Sequence, residues 1–390
     1  MDYEFAFKRS YAQARDEKRR FLCGALKAEC HKMMETVCDF HISDGDYEKV
    51  ILSYWRKYNV KPEKFWYEFF GSREHAIIPA FIPSNIYFND LIQYLNNMEF
   101  AWATSDKCFL ERVFLSAKMP TTVCKCVSGL YYDSNMKPIS EDCAVKLCLA
   151  HKSKMIIKPA IYSSNSLNIF SIDPEMTNEK ILLTTFQHIG ANFIVQDRVK
   201  QHKDLALLNP STVNTIRIHS LLTNEGVYIS PNAFLSVGAK GESVIEAGNG
   251  GYYCGISNDN RLEDTSYRVD VIVHFDEKGF VSREHILKPV SDRMDGKYRG
   301  NYCIPSMGRI CEKVKELHHM IPHLRFVGWD FTVDETGEPV LFEFNASPDG
   351  SIAQLVTCKP IFGEKTDWVL DDFYIHRTLE KNHPQEYIHL

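Results

Sequence analysis

The sequence predicts an α+β protein in which a mainly helical N-terminal region precedes two sheet-bearing segments. Three observations predict it. Residues 5–41 are rich in helix formers and free of proline, helical and extended segments alternate beyond Thr104, and two long stretches, 213–236 and 326–345, read as strand pairs closed by turns. The expected division is 1–103, 104–202 and 203–390. At 390 residues with 44% hydrophobic content the chain is long enough for two or three packed units.

One or two helices are expected over 5–41. Arg9, Arg15, Lys18, Arg19 and Arg20 recur there, but Asp16, Glu17 and Glu29 interrupt them, which fits a solvated helix face better than a membrane-surface helix. From Asp46 to Phe100 the chain is aromatic, with Trp55, Phe65, Trp66, Tyr67, Phe69 and Phe70. Pro62, Pro79 and Pro83 cut it into short helices, and such a run reads as core rather than as a ligand platform. Next come an expected helix from Asp106 to Lys118, a strand Met155–Pro159, a helix Glu179–Ile189 and a strand Asn192–Val195. Strands Val213–Leu222 and Gly226–Ser236 follow, joined by the turn Asn224-Glu225-Gly226. The glycine-rich run from Glu246 to Gly251 fits a ligand-wrapping segment or a plain surface loop, and Ile310–Met320 reads as a helix.

A formal charge of −6, from 45 basic and 51 acidic residues, gives no chain-wide cationic field, so nucleic acid is not an expected partner. The start Met1-Asp2-Tyr3-Glu4 carries no apolar signal segment and no stretch is long enough to span a bilayer, so a cytoplasmic protein is expected. Twelve scattered cysteines without Cys-x-x-Cys spacing read as reduced packing residues.

The chemistry concentrates in the hairpin Phe326–Asn345. Alternation puts Val327, Trp329, Phe331 and Val333 on one face and Asp330 on the other. In the return strand it groups Val340, Phe342 and Phe344, leaving Leu341, Glu343 and Asn345 opposite. With Thr336-Gly337 at the tip, Asp330 stands across from Glu343. Opposed like charges destabilise a sheet, so a cation between them is a reason for the pattern, ordinary solvated acids being the alternative. Hard oxygen ligands point to magnesium, with manganese as a second choice, and magnesium commonly brings nucleotide phosphates with it. Lys107, near an expected helix start, and Lys158, closing a strand, could meet such phosphates or lie on the surface. Arg217, on a strand, could clamp phosphate oxygens or pair with an acid.

In this order the parts resemble the ATP-grasp superfamily from about Thr104 to Val356, and most closely its sugar-transfer-associated family. Asp330 with Glu343 and Asn345 matches the Asp, Glu-x-Asn metal signature. The stretches Asn209–Arg217, Val327–Asp330 and Gly248–Gly251 are similar to that family's. The resemblance implies the ATP-grasp fold, two α+β subdomains gripping ATP, with 104–202 as lid and hinge and 203–390 carrying the metal site and a helical tail. It implies ATP and magnesium as cofactors. Nucleotide contacts would come from Lys107, Lys158, Gln196, Asp197 and Val199, with Ser163 and Ser164 in a covering loop that lacks the usual glycines. Asn214, Gly250 and Gly251 would touch the substrate, and Arg217 and Lys158 would act in catalysis. Gly328 replaces an arginine found in many peptide-forming relatives, so either Arg217 substitutes or the chemistry differs. The implied reaction is a ligase step through an acyl phosphate, in polysaccharide, cell-envelope or secondary-metabolite biosynthesis, on a small-molecule or glycan-linked substrate. A kinase acting on a sugar or polyol hydroxyl and a non-catalytic ATP-binding module are the alternatives. A dimer is compatible with the sequence, which fixes no oligomeric state.

Overall fold

The computed structural model describes residues 17, 21, 23–161, 169–238, 249–275, 281–290 and 302–382. Contacts divide the chain into one unit of Met1–Asn96, Ile272–Pro289 and Asp349–Leu390 and a second of Asn97–Val271 and Val290–Pro348.

The first unit is mainly helical, as the composition of its N-terminal stretch predicts. A helix covers 23–37, and Thr36 donates to the carbonyl of Leu287 at 2.6 Å. The aromatic run is core: Trp55, Trp66, Tyr67, Phe69 and Phe70 are all buried. Helix Gly350–Thr357 is capped by Asp349, whose carboxylate accepts from the Ser351 and Ile352 amides. Gly350 is required there, because a Cβ would stand 2.8 Å from the Tyr87 ring. Helix Thr366–Asn382 is tied in through Asp367 and Asp371, which accept from the tyrosine hydroxyls of Tyr54 and Tyr58.

The second unit holds two antiparallel sheets. The smaller comprises β1 (Thr122–Val127), β2 (Leu130–Asp133), β3 (Pro138–Ile139), β4 (Met155–Pro159), β5 (Phe170–Ile172) and β6 (Phe193–Asp197), in the order β3-β2-β1-β6-β4-β5. One face packs on helices Glu141–Ala150 and Glu179–Ile189 through Cys124, Cys126, Val145, Met155, Ile157, Leu182 and Phe186. Both helices begin with a side-chain cap, Ser140 and Asn178, and Leu182 and Phe186 bury one stripe at the expected four-residue spacing.

The larger sheet comprises β7 (Thr215–Thr223), β8 (Gly226–Ile229), β9 (Phe234–Val237), β10 (Asn249–Ile256) and β11 (Leu262–Phe275), which leaves this unit after Val271. β12 (Val281–Val290) lies in the first unit as far as Pro289. The last two strands are β13 (Phe326–Val333) and β14 (Pro339–Asn345), and the order runs β11-β10-β9-β7-β13-β14, with β8 also on β7. Helix Met307–His318 covers its core face with Ile310, Val314 and Leu317 against Ile216, Ile218, Val327, Trp329 and Phe331. Among the described residues no helix is long and apolar enough to cross a membrane.

Three expectations are corrected. The helix expected over 106–118 exists only at Leu110–Val113, for reasons given below. The strand expected over Gly226–Ser236 breaks after Ile229: Ser230-Pro231-Asn232 cannot continue a ladder through a residue without an N–H, and the chain returns to β7 as β9. Gly250 and Gly251 lie within β10 and not in a loop, with Gly251 opposite Val269. All twelve cysteines are free thiols, and Cys124 and Cys148 meet only in contact, at 3.8 Å.

Candidate active site

The hairpin pairs Asp330 with Glu343, as the sequence predicts but by another route, and it also pairs Gly328 with Asn345. Its tip spans Asp334 to Glu338, with Gly337 at φ +85°, so counting from the tip alone would set Asp330 against Phe342. A bulge restores the pairing: Phe331 faces Leu341, Asp330 faces Glu343, and Phe342 is the extra residue. The expected grouping of Phe342 with Val340 and Phe344 therefore fails. Leu341 and Phe344 face the core, whereas Phe342 lies half-buried below the Lys158 ammonium, 5.9 Å from its ring centre.

Around the two carboxylates stand three cations. Arg217, opposite Asp330 on β7, grips it with both ends of its fork: Nε to Oδ1 at 2.5 Å and Nη2 to Oδ2 at 2.8 Å. The Asn345 amide donates to Asp330 Oδ2 at 3.1 Å. Lys107 Nζ meets Glu343 Oε2 at 2.7 Å. Lys158 reaches the same place from β4, and the two lysine segments are joined by the Lys107 N–H donating to the Ala160 carbonyl at 3.0 Å.

The titration of these groups follows their surroundings. Burial raises the Asp330 carboxyl and nearby Glu343 raises it further; Arg217 opposes them, and the net shift is upward. Burial also acts on Glu343, but Lys107 and Lys158 outweigh it and hold that carboxyl low. Lys158 is pushed down to about 8 by burial and by Lys107, against the pull of Glu343 and Asp330. Burial would lower the Arg217 guanidinium, but Asp330 reverses it. Two opposed acids and an amide, with two lysines and an arginine around them, are hard oxygen donors for a divalent ion beside cations for phosphate. The residues present therefore fit magnesium and a nucleotide. Among the described residues no group of three His, Cys, Asp or Glu could hold a metal, so an ion here would rely on the two carboxylates and Asn345.

The other expected site residues are dispersed. Gln196 is buried in β6, donating to the Pro120 carbonyl at 3.2 Å. Asp197 pairs with His151, and Val199 lies in the half-buried linker beyond it. Asn214 does not join the acids: it is wholly buried and its amide donates to the Leu205 carbonyl at 2.8 Å. Ser163 and Ser164 lie outside the described residues. Gly328 sits under Pro348, whose Cβ would be 2.6 Å from an added Cβ. The Arg217 side chain passes 3.5 Å from the same point, so an arginine reaches the place where Gly328 offers none.

Sequence reasoning missed Phe342, Lys125 and His151. No local signal distinguishes a bulged phenylalanine from a core one, and nothing in the neighbouring sequence marks Lys125 or His151.

A family model described as sugar-transfer associated ATP-grasp matches residues 89–367. No curated protein matches the chain in sequence. Among solved structures it is similar to the VanG D-Ala:D-Ser ligase from Enterococcus faecalis, at 13% identity and TM-score 0.39, over 73% of this chain and 63% of that one. D-alanyl-alanine synthetase A from Vibrio cholerae gives 12% identity and TM-score 0.40, over 72% and 68%. N5-carboxyaminoimidazole synthetase from Staphylococcus aureus, complexed with ADP, gives 11% and 0.39, over 69% and 54%. The chain thus spans less than two thirds of the VanG ligase, and likenesses this distant carry no inference about reaction or substrate.

Proposed function

Because the chain belongs to the sugar-transfer-associated ATP-grasp family, we propose that it is an ATP- and magnesium-dependent ligase that activates a substrate carboxylate as an acyl phosphate. An amine or other nucleophile then attacks the acyl carbon and phosphate leaves. The observation that carries this reading is the convergence of Asp330, Glu343 and Asn345 with Lys107, Lys158 and Arg217 on one face of the hairpin.

Asp330, Glu343 and Asn345 would hold magnesium, which when bound supplies positive charge beside the β- and γ-phosphates. Lys107 and Lys158 bind phosphate oxygens, and the planar fork of Arg217 orients the transferring group. Gln196, Asp197 and Val199 would receive adenine and ribose, with Ser163 and Ser164 covering the phosphates. Residues 104–202 act as lid and hinge and 203–390 as the metal-bearing part. Asn214 acts by holding the segment before β7 in place, and Gly250 and Gly251 by leaving room along β10 for a small-molecule or glycan-linked substrate. We place the reaction in polysaccharide or cell-envelope biosynthesis in the cytoplasm.

The test is ATP turnover against pooled carboxylates, amines and sugars, with hydroxylamine added to trap acyl phosphate. Hydroxamate formation that requires ATP, magnesium and a carboxylate supports the ligase. A stable phosphomonoester made from a hydroxyl compound, without hydroxamate, overturns it in favour of a kinase.

A further inference from the structure

Lys125 is the one charged side chain among the largest fully buried ones of the described residues, 1% exposed. Burying an ammonium is costly unless every donor is used to advantage. Its neighbours show what the charge holds. On the smaller sheet Lys125 and Lys158 are both direct cross-strand partners of Ile194, so the three side chains form a row on the face turned away from the helices. Over Ile194 packs Cys108, in a small cluster with Ala160. Lys125 Nζ donates to the Cys108 carbonyl at 2.8 Å and meets Glu111 Oε2 at 3.3 Å, while the other oxygen of Glu111 accepts from the Thr122 hydroxyl.

The captured carbonyl belongs to the residue directly after Lys107. The same short segment is held by the Lys107 N–H on the Ala160 carbonyl and by the Cys108 N–H on the Asp106 carboxylate, at 2.8 Å. A helix over 106–118 would turn the Cys108 carbonyl along the helix axis to an amide four residues on. The ammonium takes that carbonyl instead, which is a physical reason why the helix starts only at Leu110 and why Lys107 is directed at Glu343.

We propose that Lys125 is a positioning residue: it fixes the 106–111 segment so that the Lys107 ammonium stands at the hairpin carboxylates and the nucleotide phosphates. The inference rests on the nucleotide reading above for its consequence and on the geometry alone for its cause. Lys125→Met keeps the length and apolar stem of the side chain and leaves Glu111 hydrogen-bonded and partly exposed, so no buried charge is stranded.

The experiment measures the affinity of a non-hydrolysable ATP analogue with magnesium, by calorimetry, for wild type, Lys125→Met, Lys107→Met and the double variant. Hydrogen exchange of peptides covering 106–111 and 326–345 is followed in parallel. Each single variant is expected to bind roughly tenfold more weakly, and the double variant no more weakly than Lys107→Met. Exchange should quicken over 106–111 in Lys125→Met and stay unchanged over 326–345. Losses that multiply in the double variant, or unchanged exchange over 106–111, overturn the positioning role. If Lys107→Met binds the analogue as wild type does, the nucleotide reading falls, and the exchange result still decides what Lys125 does. Should Lys125→Met fail to fold, Glu111→Gln, which loosens the ammonium's second anchor, is read by the same exchange measurement.

Discussion

Asp330 and Asp334 are the same residue type on one hairpin, 6% and 7% exposed, yet their surroundings treat them oppositely. Asp334 sits at the tip, where the Thr336 and Glu338 amides and the Thr336 hydroxyl donate to one oxygen at 2.7–2.9 Å and Lys118 pairs with the other. Burial would raise its carboxyl, but these partners hold it down at about 2. Among the described residues the Asp330 carboxylate has side chains alone for partners, Arg217 and Asn345, and it is shifted up. An acid held largely by backbone donors has little to exchange. One held by side chains can trade them for another cation, which is the role proposed for Asp330.

The largest effect is expected where that trade is removed. Asp330→Asn should lower turnover by at least about a hundredfold. Manganese binding followed by electron paramagnetic resonance should be lost with it; a variant that still binds manganese as tightly as wild type would break the contrast.

Asp334→Ala should do the reverse, costing about 1–3 kcal/mol of stability in urea unfolding with metal binding retained. Its pH dependence follows from the depressed carboxyl. The stabilisation is complete above the unfolded-state value near 4 and disappears as pH falls through about 2. The stability difference between wild type and Asp334→Asn should therefore narrow between about pH 4 and pH 2. Because Lys118 is half exposed, the part that titrates is about 1 kcal/mol. A difference that stays constant over that range would mean that the Asp334 carboxyl is not held low by its partners.

The smallest effect sharpens the comparison at the turn itself. Gly337→Ala, at φ +85°, should cost about 1 kcal/mol and leave metal binding unchanged. A loss of manganese affinity there would mean that the register of the whole hairpin depends on the tip.

The hairpin's acids were legible because strand alternation and turn position are local, and Asp330 does face Glu343. The reason was incomplete: the bulge at Phe342 depends on how β14 packs, with Leu341 and Phe344 both drawn to the core, and two-residue alternation cannot foresee it. The expected helix at 179–189 carries its own cap and stripe, whereas the segment 106–109 is shaped by Lys125, apart from it along the chain until β1 folds beside it. Asn214 looked available beside Arg217, but the segment from Leu205 to Asn209 returns over it and takes up its amide.

The chain enters the smaller sheet before β1 and leaves it after β6, and both connections are stitched to the same end of the β13–β14 hairpin. On the first, the Lys118 carbonyl accepts from the Leu341 amide at 2.9 Å and its ammonium pairs with Asp334. On the second, the Glu335 amide donates to the Lys200 carbonyl at 2.9 Å and the His202 amide to the Val333 carbonyl at 2.7 Å. The tip of the hairpin that carries Asp330, Glu343 and Asn345 is thus also where the chain is anchored on its way into and out of the sheet that carries Lys158.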